Sequence, residues 1–147
     1  MADFTWSYSA LKQYENCPRQ YNEIRVLKNY VVKENEAMRY GTEVHKALED
    51  YVAEGKPLAK NYQRFKSMVD PLVDIPGIKY PEHEMALTYD KLPCDFGSEH
   101  RWVRGIADLL IVDGDYAFIV DYKTGSNKYP DPKQLRLIAL MVFTHFP

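Results

Sequence analysis

Two apolar runs, Trp102 to Val112 and Tyr116 to Tyr122, flank Asp113-Gly114-Asp115 and are rich in β-branched and aromatic residues. Such runs around a Gly-containing turn predict a β-hairpin. The hairpin carries charge in unusual places. Asp108 is embedded in the middle of the first strand, and Asp121-Tyr122-Lys123 closes the second, thirteen residues later. Side chains alternate with period two along a strand, so Asp121 and Lys123 share a face. A turn at Asp113-Gly114 puts Ile119 opposite Asp108 and Asp121 one diagonal step further. A turn at Gly114-Asp115 puts Asp121 directly opposite Asp108. Either register collects both acids and Lys123 on one sheet face, whereas a three-residue loop would separate them.

Two carboxylates and an amine on one spot can bind a hard divalent cation and activate water beside it. That is the minimum apparatus for metal-dependent phosphodiester hydrolysis. The competing reading is a structural Asp–Lys ion pair at a strand end, which is common and contributes little. Asp108 tilts the balance toward a metal, because its neighbours Ile106, Ala107, Leu109, Leu110 and Ile111 are apolar. A carboxylate there is costly to desolvate unless it binds a cation or is well hydrogen-bonded.

The remaining pattern supplies helices. Ser7 to Cys17, with Tyr8, Leu11 and Tyr14 at spacings of three, reads as a short helix stopped by Pro18. Residues 19–35 are compatible with strand or helix. Val44, Ala47, Leu48, Tyr51 and Val52 mark an amphipathic helix capped by Gly55. Another spans Asn61 to Val73, with Phe65, Met68, Val69 and Leu72 on one face, and Pro76-Gly77 is a turn. Glu84 to Tyr89 alternates weakly and suggests a strand. The last helix begins with Asp131 as N-cap and Pro132 in its first turn, burying Leu135, Ile138, Ala139 and Val142. With 147 residues and no internal repeat or linker, the chain is expected to form a single domain over 1–147.

Other residues have two readings each. His45 and Glu49 lie four apart on one helix face; the imidazole suits Mn²⁺, but a surface His–Glu pair is the simpler account. Gln134 stands three after the Asp131 cap, where it can close a capping box or reach a phosphate. Glu84 is either a ligand or, more simply, a strand acid. Cys17 and Cys94 form no CxxC pair, so no zinc site or disulfide framework is indicated.

Formal charge is −2, with 19 basic against 21 acidic residues, so no global field draws nucleic acid and any binding surface is a local patch. The N-terminus lacks the basic and apolar regions of a secretory signal, and no apolar run reaches the roughly 20 residues of a membrane helix. A cytoplasmic location without membrane association is expected.

Five segments together resemble the RecB-type branch of the PD-(D/E)XK nuclease superfamily. Ser7-Tyr-Ser-Ala-Leu-Lys-Gln-Tyr-Glu-Asn-Cys-Pro-Arg-Gln-Tyr is similar to the opening helix ending in Cys-Pro. Gly41-Thr-Glu-Val-His45 resembles the Gly-x-x-x-His helix, and Gly105-Ile-Ala-Asp108 the Gly-x-x-Asp form of the first acidic motif. Asp121-Tyr-Lys123-Thr-Gly resembles Asp-x-Lys, and Gln134-Leu the downstream Gln helix. The order is that of the group, and the segments cover nearly the whole chain.

The resemblance implies a restriction-endonuclease-like α/β core, a mixed central β-sheet flanked by α-helices. It implies that His45, Asp108 and Asp121, with the Tyr122 carbonyl, bind Mg²⁺ or Mn²⁺. Asp108, Asp121 and Lys123 would be catalytic, with Lys123 orienting the attacking water, and Gln134 would contact the nucleic acid. The implied function is a metal-dependent DNA nuclease, an exonuclease or end-processing enzyme acting on single strands or duplex ends. A non-catalytic binding module of the same fold and an RNA-directed enzyme are the alternatives. Relatives include ring-forming homo-oligomers and larger nuclease–helicase assemblies, and the sequence does not choose between them. Some members build an iron–sulfur cluster from an early cysteine and three late ones; Cys17 matches the early one, but no late cysteines follow, so no complete cluster is expected. Ile138 stands where the Gln helix often has Tyr, and the chain stops soon after this helix, whereas the group usually continues.

Overall fold

The computed structural model describes residues 4–125 and 131–147. The Ser7 hydroxyl accepts the Ala10 N–H at 3.3 Å and opens α1 (Tyr8–Asn16). Pro18 ends this helix and at once starts the next, α2 (Pro18–Tyr21), which Cys17 caps through Sγ. A proline in a helix interior removes a backbone hydrogen bond and crowds the preceding turn, but its fixed φ and missing N–H suit a first turn. A π-helical turn, Asn22–Val26, continues the path. Residues 27–35, left open by their periodicity, are neither helix nor strand.

α3 (Glu36–Glu54) starts at the Asn35 cap and ends where Gly55 adopts φ 69°. A 3₁₀ turn, Lys60–Phe65, leads into α4 (Lys66–Asp74). The helix expected from Asn61 is therefore wound more tightly at its start, and Met68 is 44% exposed rather than on the buried face, where Val69 sits. So short a helix buries only a narrow stripe.

Four strands follow: β1 (Ile78–Thr88), β2 (Pro93–Cys94), β3 (Arg101–Asp113) and β4 (Tyr116–Val120). They form one antiparallel sheet in the order β2-β1-β3-β4, and a parallel bridge between Trp6 and Val103 adds mixed character. β1 begins six residues before the expected Glu84. Its alternation is obscured by Pro81 and by Glu82, whose φ of 45° is left-handed. The hairpin takes the second of the two registers: Asp113 pairs with Tyr116 and Leu109 with Val120 around a Gly114-Asp115 turn. Gly114 meets the turn's demand with φ 55°. α5 (Pro132–His145) closes the fold, its Asp131 carboxylate accepting the Lys133 N–H at 3.0 Å. The α/β restriction-endonuclease-like architecture implied by the sequence is the one observed.

Contacts divide the chain into two compact units, Met1–Glu34 with Glu84–Gly105 and Arg136–Pro147, and Asn35–His83 with Ile106–Leu135. In the first, Met85, Ala86, Leu87, Val103, Ile138, Met141 and Val142 are buried. Gly105 is small because α5 presses on it: a Cβ there would lie 2.8 Å from Ile138 Cδ1. Met141, not Leu135, completes the buried stripe of α5; Leu135 is 39% exposed. In the second unit, Val44, Leu48 and Val52 of α3 pack with Leu58, Val69, Leu109, Ile111 and Tyr122.

Candidate active site

The second unit holds a cleft of about 690 Å³ lined by Gly41, His45, Glu49, Glu82, Ile106 and Asp108, among others. Each acidic or basic group arrives by a different route. His45 rides on α3 one residue after the buried Val44, so the core contact that fixes the helix also aims the imidazole. Asp108 alternates with the buried Ala107 and Leu109 on β3 and therefore faces away from them. Its Oδ2 lies 3.6 Å from His45 Nδ1.

Asp108 also accepts the backbone N–H of Tyr122 at 2.7 Å. The strand β4 has ended at Val120, so this amide is freed from the ladder and turns to the carboxylate. Burial pushes the Asp108 pKa up to about 6, the Tyr122 hydrogen bond and His45 oppose the shift, and the neighbouring Asp121 adds to it. A carboxylate held in this condition is under pressure to acquire a proton or a cation.

The third acid is one the sequence did not single out. Glu82, His45 and Asp108 offer ligand atoms that all lie within 4.8 Å of one another. Glu82 owes its place to the left-handed φ of 45°, a conformation costing a non-glycine residue about 1 kcal/mol. Nothing in a single sequence announces such a kink; Pro81 beside it is the only local hint. Glu84, the acid of this strand that the sequence did raise, is exposed.

Asp121 follows directly after Val120 of the ladder, the position opposite Asp108 in the observed register. Its carboxylate closes on Lys123 Nζ at 2.6 Å and also neighbours the Asp108 carboxyl, outside the group of three whose ligand atoms lie within 4.8 Å of one another. Lys123 also donates to Gln134 Oε1 at 3.3 Å. Gln134 thus points toward Lys123, and the Asp131 cap is served through the Lys133 amide. Glu49 pairs with Lys46 at 3.3 Å rather than with His45.

Tyr122 is buried in the core, its ring edge-on to His45 at 5.8 Å. Its hydroxyl has no hydrogen-bond partner among the described residues. Burial, with Asp108, Glu49 and Glu82 nearby, pushes that phenol up to about 12. Cys17 and Cys94 are both free thiols.

The cluster tests what it can hold. Two carboxylates and one imidazole, with no sulfur, match the hard-donor preference of Mg²⁺ or Mn²⁺, and the raised Asp108 pKa marks negative charge that a cation would relieve. The family model of the PD-(D/E)XK nuclease superfamily matches residues 5–81 and 59–145. The chain belongs to this superfamily, whose nucleases use divalent metals. No curated protein and no solved structure matches the chain. No helix among the described residues is long and apolar enough to cross a membrane.

Proposed function

We propose that the protein is a metal-dependent DNA nuclease of the RecB-type branch, an exonuclease or end-processing enzyme serving DNA repair, recombination or replication, with residues 1–147 acting as one nuclease domain. The observation that carries this reading is the convergence of His45, Glu82 and Asp108 in an open cleft, beside the Asp121–Lys123 pair. A degenerate binding module would most readily lose these charged groups.

In this reading His45, Asp108 and Asp121, with the Tyr122 carbonyl, hold Mg²⁺ or Mn²⁺, and Glu82 joins them. The bound ion supplies Lewis acidity at the phosphoryl oxygen. Asp108, Asp121 and Lys123 are the catalytic set. The Lys123 ammonium, held by Asp121 and Gln134, has donors with which to orient the attacking water and to offset charge gathering on the phosphate. Water adds at phosphorus, one P–O bond breaks, and the departing oxygen leaves with a proton as an alcohol. Gln134 gives up its hydrogen bond from Lys123 to contact the strand. In this reading the enzyme works on the sugar–phosphate backbone rather than on base identity.

End-labelled single-stranded and duplex DNA, incubated with Mg²⁺, Mn²⁺ or EDTA, tests the proposal, with Lys123→Ala as the control for contaminating activity. Metal-dependent degradation lost in the variant is expected, and the product ladder gives polarity and strand preference. Equal degradation by both proteins would refute the assignment, and an RNA substrate run in parallel separates the alternative sugar.

A further inference from the structure

Gly41 is a glycine that the fold does not ask for. It lies inside α3, where glycine is less stable than alanine because it has more backbone freedom to lose. The backbone there is ordinary helix, so no special conformation requires it. Packing does not require it either. Among the described residues, a Cβ at this position would meet only Thr124 Oγ1, at 3.7 Å, an ordinary van der Waals contact. What a side chain at position 41 would take up is room in the cleft, which Gly41 lines with Met38, His45, Ile106 and Asp108.

The wall around this gap is apolar and adjoins the ligand cluster. Met38, Gly41 and His45 recur at spacings of three and four, so they share one strip of α3. Ile106 stands two residues before Asp108 on β3, on the same face and about 6.8 Å along the strand. Met38 and Ile106 are large apolar side chains left 48% and 41% exposed. Their polar neighbours in the cleft are already engaged. Thr42 Oγ1 donates to the Met38 carbonyl at 3.1 Å, and Lys46 pairs with Glu49 at 3.3 Å and Asp50 at 2.9 Å. This part of the cleft therefore offers contact without hydrogen-bond readout. A cleft of about 690 Å³ also has room for far more than one cation. A polarisable thioether and a branched alkyl group beside a cation-binding cluster suit a flat ring joined to a phosphate. We infer that Met38 and Ile106 seat the nucleobase of the nucleotide whose phosphate meets the metal, with Gly41 kept bare to admit it. The inference rests on the nuclease reading and adds a base contact to it. Held by contact alone, every base is tolerated.

Stability and activity should move in opposite directions when the gap is filled. The full chain, Gly41→Ala and Met38→Ala are compared by thermal unfolding, by Mn²⁺ calorimetry, and by steady-state cleavage in Mn²⁺ of a fluorescent oligothymidylate and an abasic strand of equal length. Gly41→Ala should raise Tm by about 3 °C, as alanine does inside a helix. Its Mn²⁺ isotherm should match the parent's, while KM for the oligothymidylate rises about tenfold through crowding of the seat. Met38→Ala should raise the same KM about tenfold through lost apolar contact. KM for the abasic strand should stay at the parent's value in Met38→Ala, a split that a merely structural role would not produce. A Gly41→Ala protein with the parent's KM, or with a lower Tm, overturns the inference and leaves the nuclease reading intact. So does a Met38→Ala protein whose KM rises equally for both strands. Absence of cleavage by the folded, Mn²⁺-bound parent overturns the nuclease reading and the inference with it.

Discussion

Replacing Asp108 with Asn should make the metal-free protein more stable, the reverse of what a substitution at a well-placed buried residue usually does. The Asp108 carboxyl titrates near 3.8 when solvated and at about 6 in the fold. Its side chain is only 17% exposed, so solvent screening removes little of the effect. The folded pKa lies above the unfolded one. The associated stability is therefore fully present below about pH 4 and is lost as pH rises through about 6. A shift of about two pH units corresponds to about 3 kcal/mol at pH 8, and to about half of that at pH 5. Asn keeps an oxygen for the Tyr122 N–H and carries no charge, so Asp108→Asn should recover most of this at pH 8 and progressively less toward pH 4. Urea unfolding in EDTA at several pH values measures the difference. Titrating Mn²⁺ then completes the comparison: at about a hundred times its Kd a cation stabilises the parent by about 2.7 kcal/mol, and Asp108→Asn should lose that gain. An Asn variant no more stable than its parent at pH 8, or a difference independent of pH, would refute the account of Asp108 as a carboxylate kept under strain for a cation.

Lys123→Ala should lower the cleavage rate by at least about a hundredfold, the scale of one lost charge-stabilising donor, while urea unfolding and oligonucleotide binding change little. Glu82→Gly should raise stability by about 0.5–1 kcal/mol through relief of the left-handed backbone, and weaken Mn²⁺ binding in calorimetry; unchanged affinity would remove Glu82 from the ligand set. His45→Ala should weaken the same isotherm without the gain in stability. Gly77→Ala should cost about 2 kcal/mol or more in the same unfolding assay, because Gly77 has φ 115° and a Cβ would lie 2.4 Å from the Val112 carbonyl oxygen.

Local chemistry was legible wherever the governing interaction is short in sequence. The Asp131 cap, the Gly55 terminus and a hairpin around Asp113-Gly114-Asp115 each depend on residues within a few positions, and each lies where the pattern placed it. Periodicity identified the Val44–Leu48–Val52 stripe because one face of a long helix must be buried whatever it packs against. The motif residues Asp108, Asp121 and Lys123 were visible because charge inside an apolar hairpin is expensive and so is informative.

Tertiary structure alone decided the rest. Both hairpin registers satisfied the alternation, and the turn that formed settled which residue stands across from Asp108. Glu82 joins His45 and Asp108 through a left-handed kink in β1, and spacing along the chain carries no trace of it. Met141 rather than Leu135 is buried because α5 packs on Gly105, a contact between residues more than thirty positions apart. The sequence by itself determined which residue types could do the chemistry and on which elements they ride. Their gathering depends on long-range packing, where a rotation of one helix or a slip of one residue exchanges one face for another.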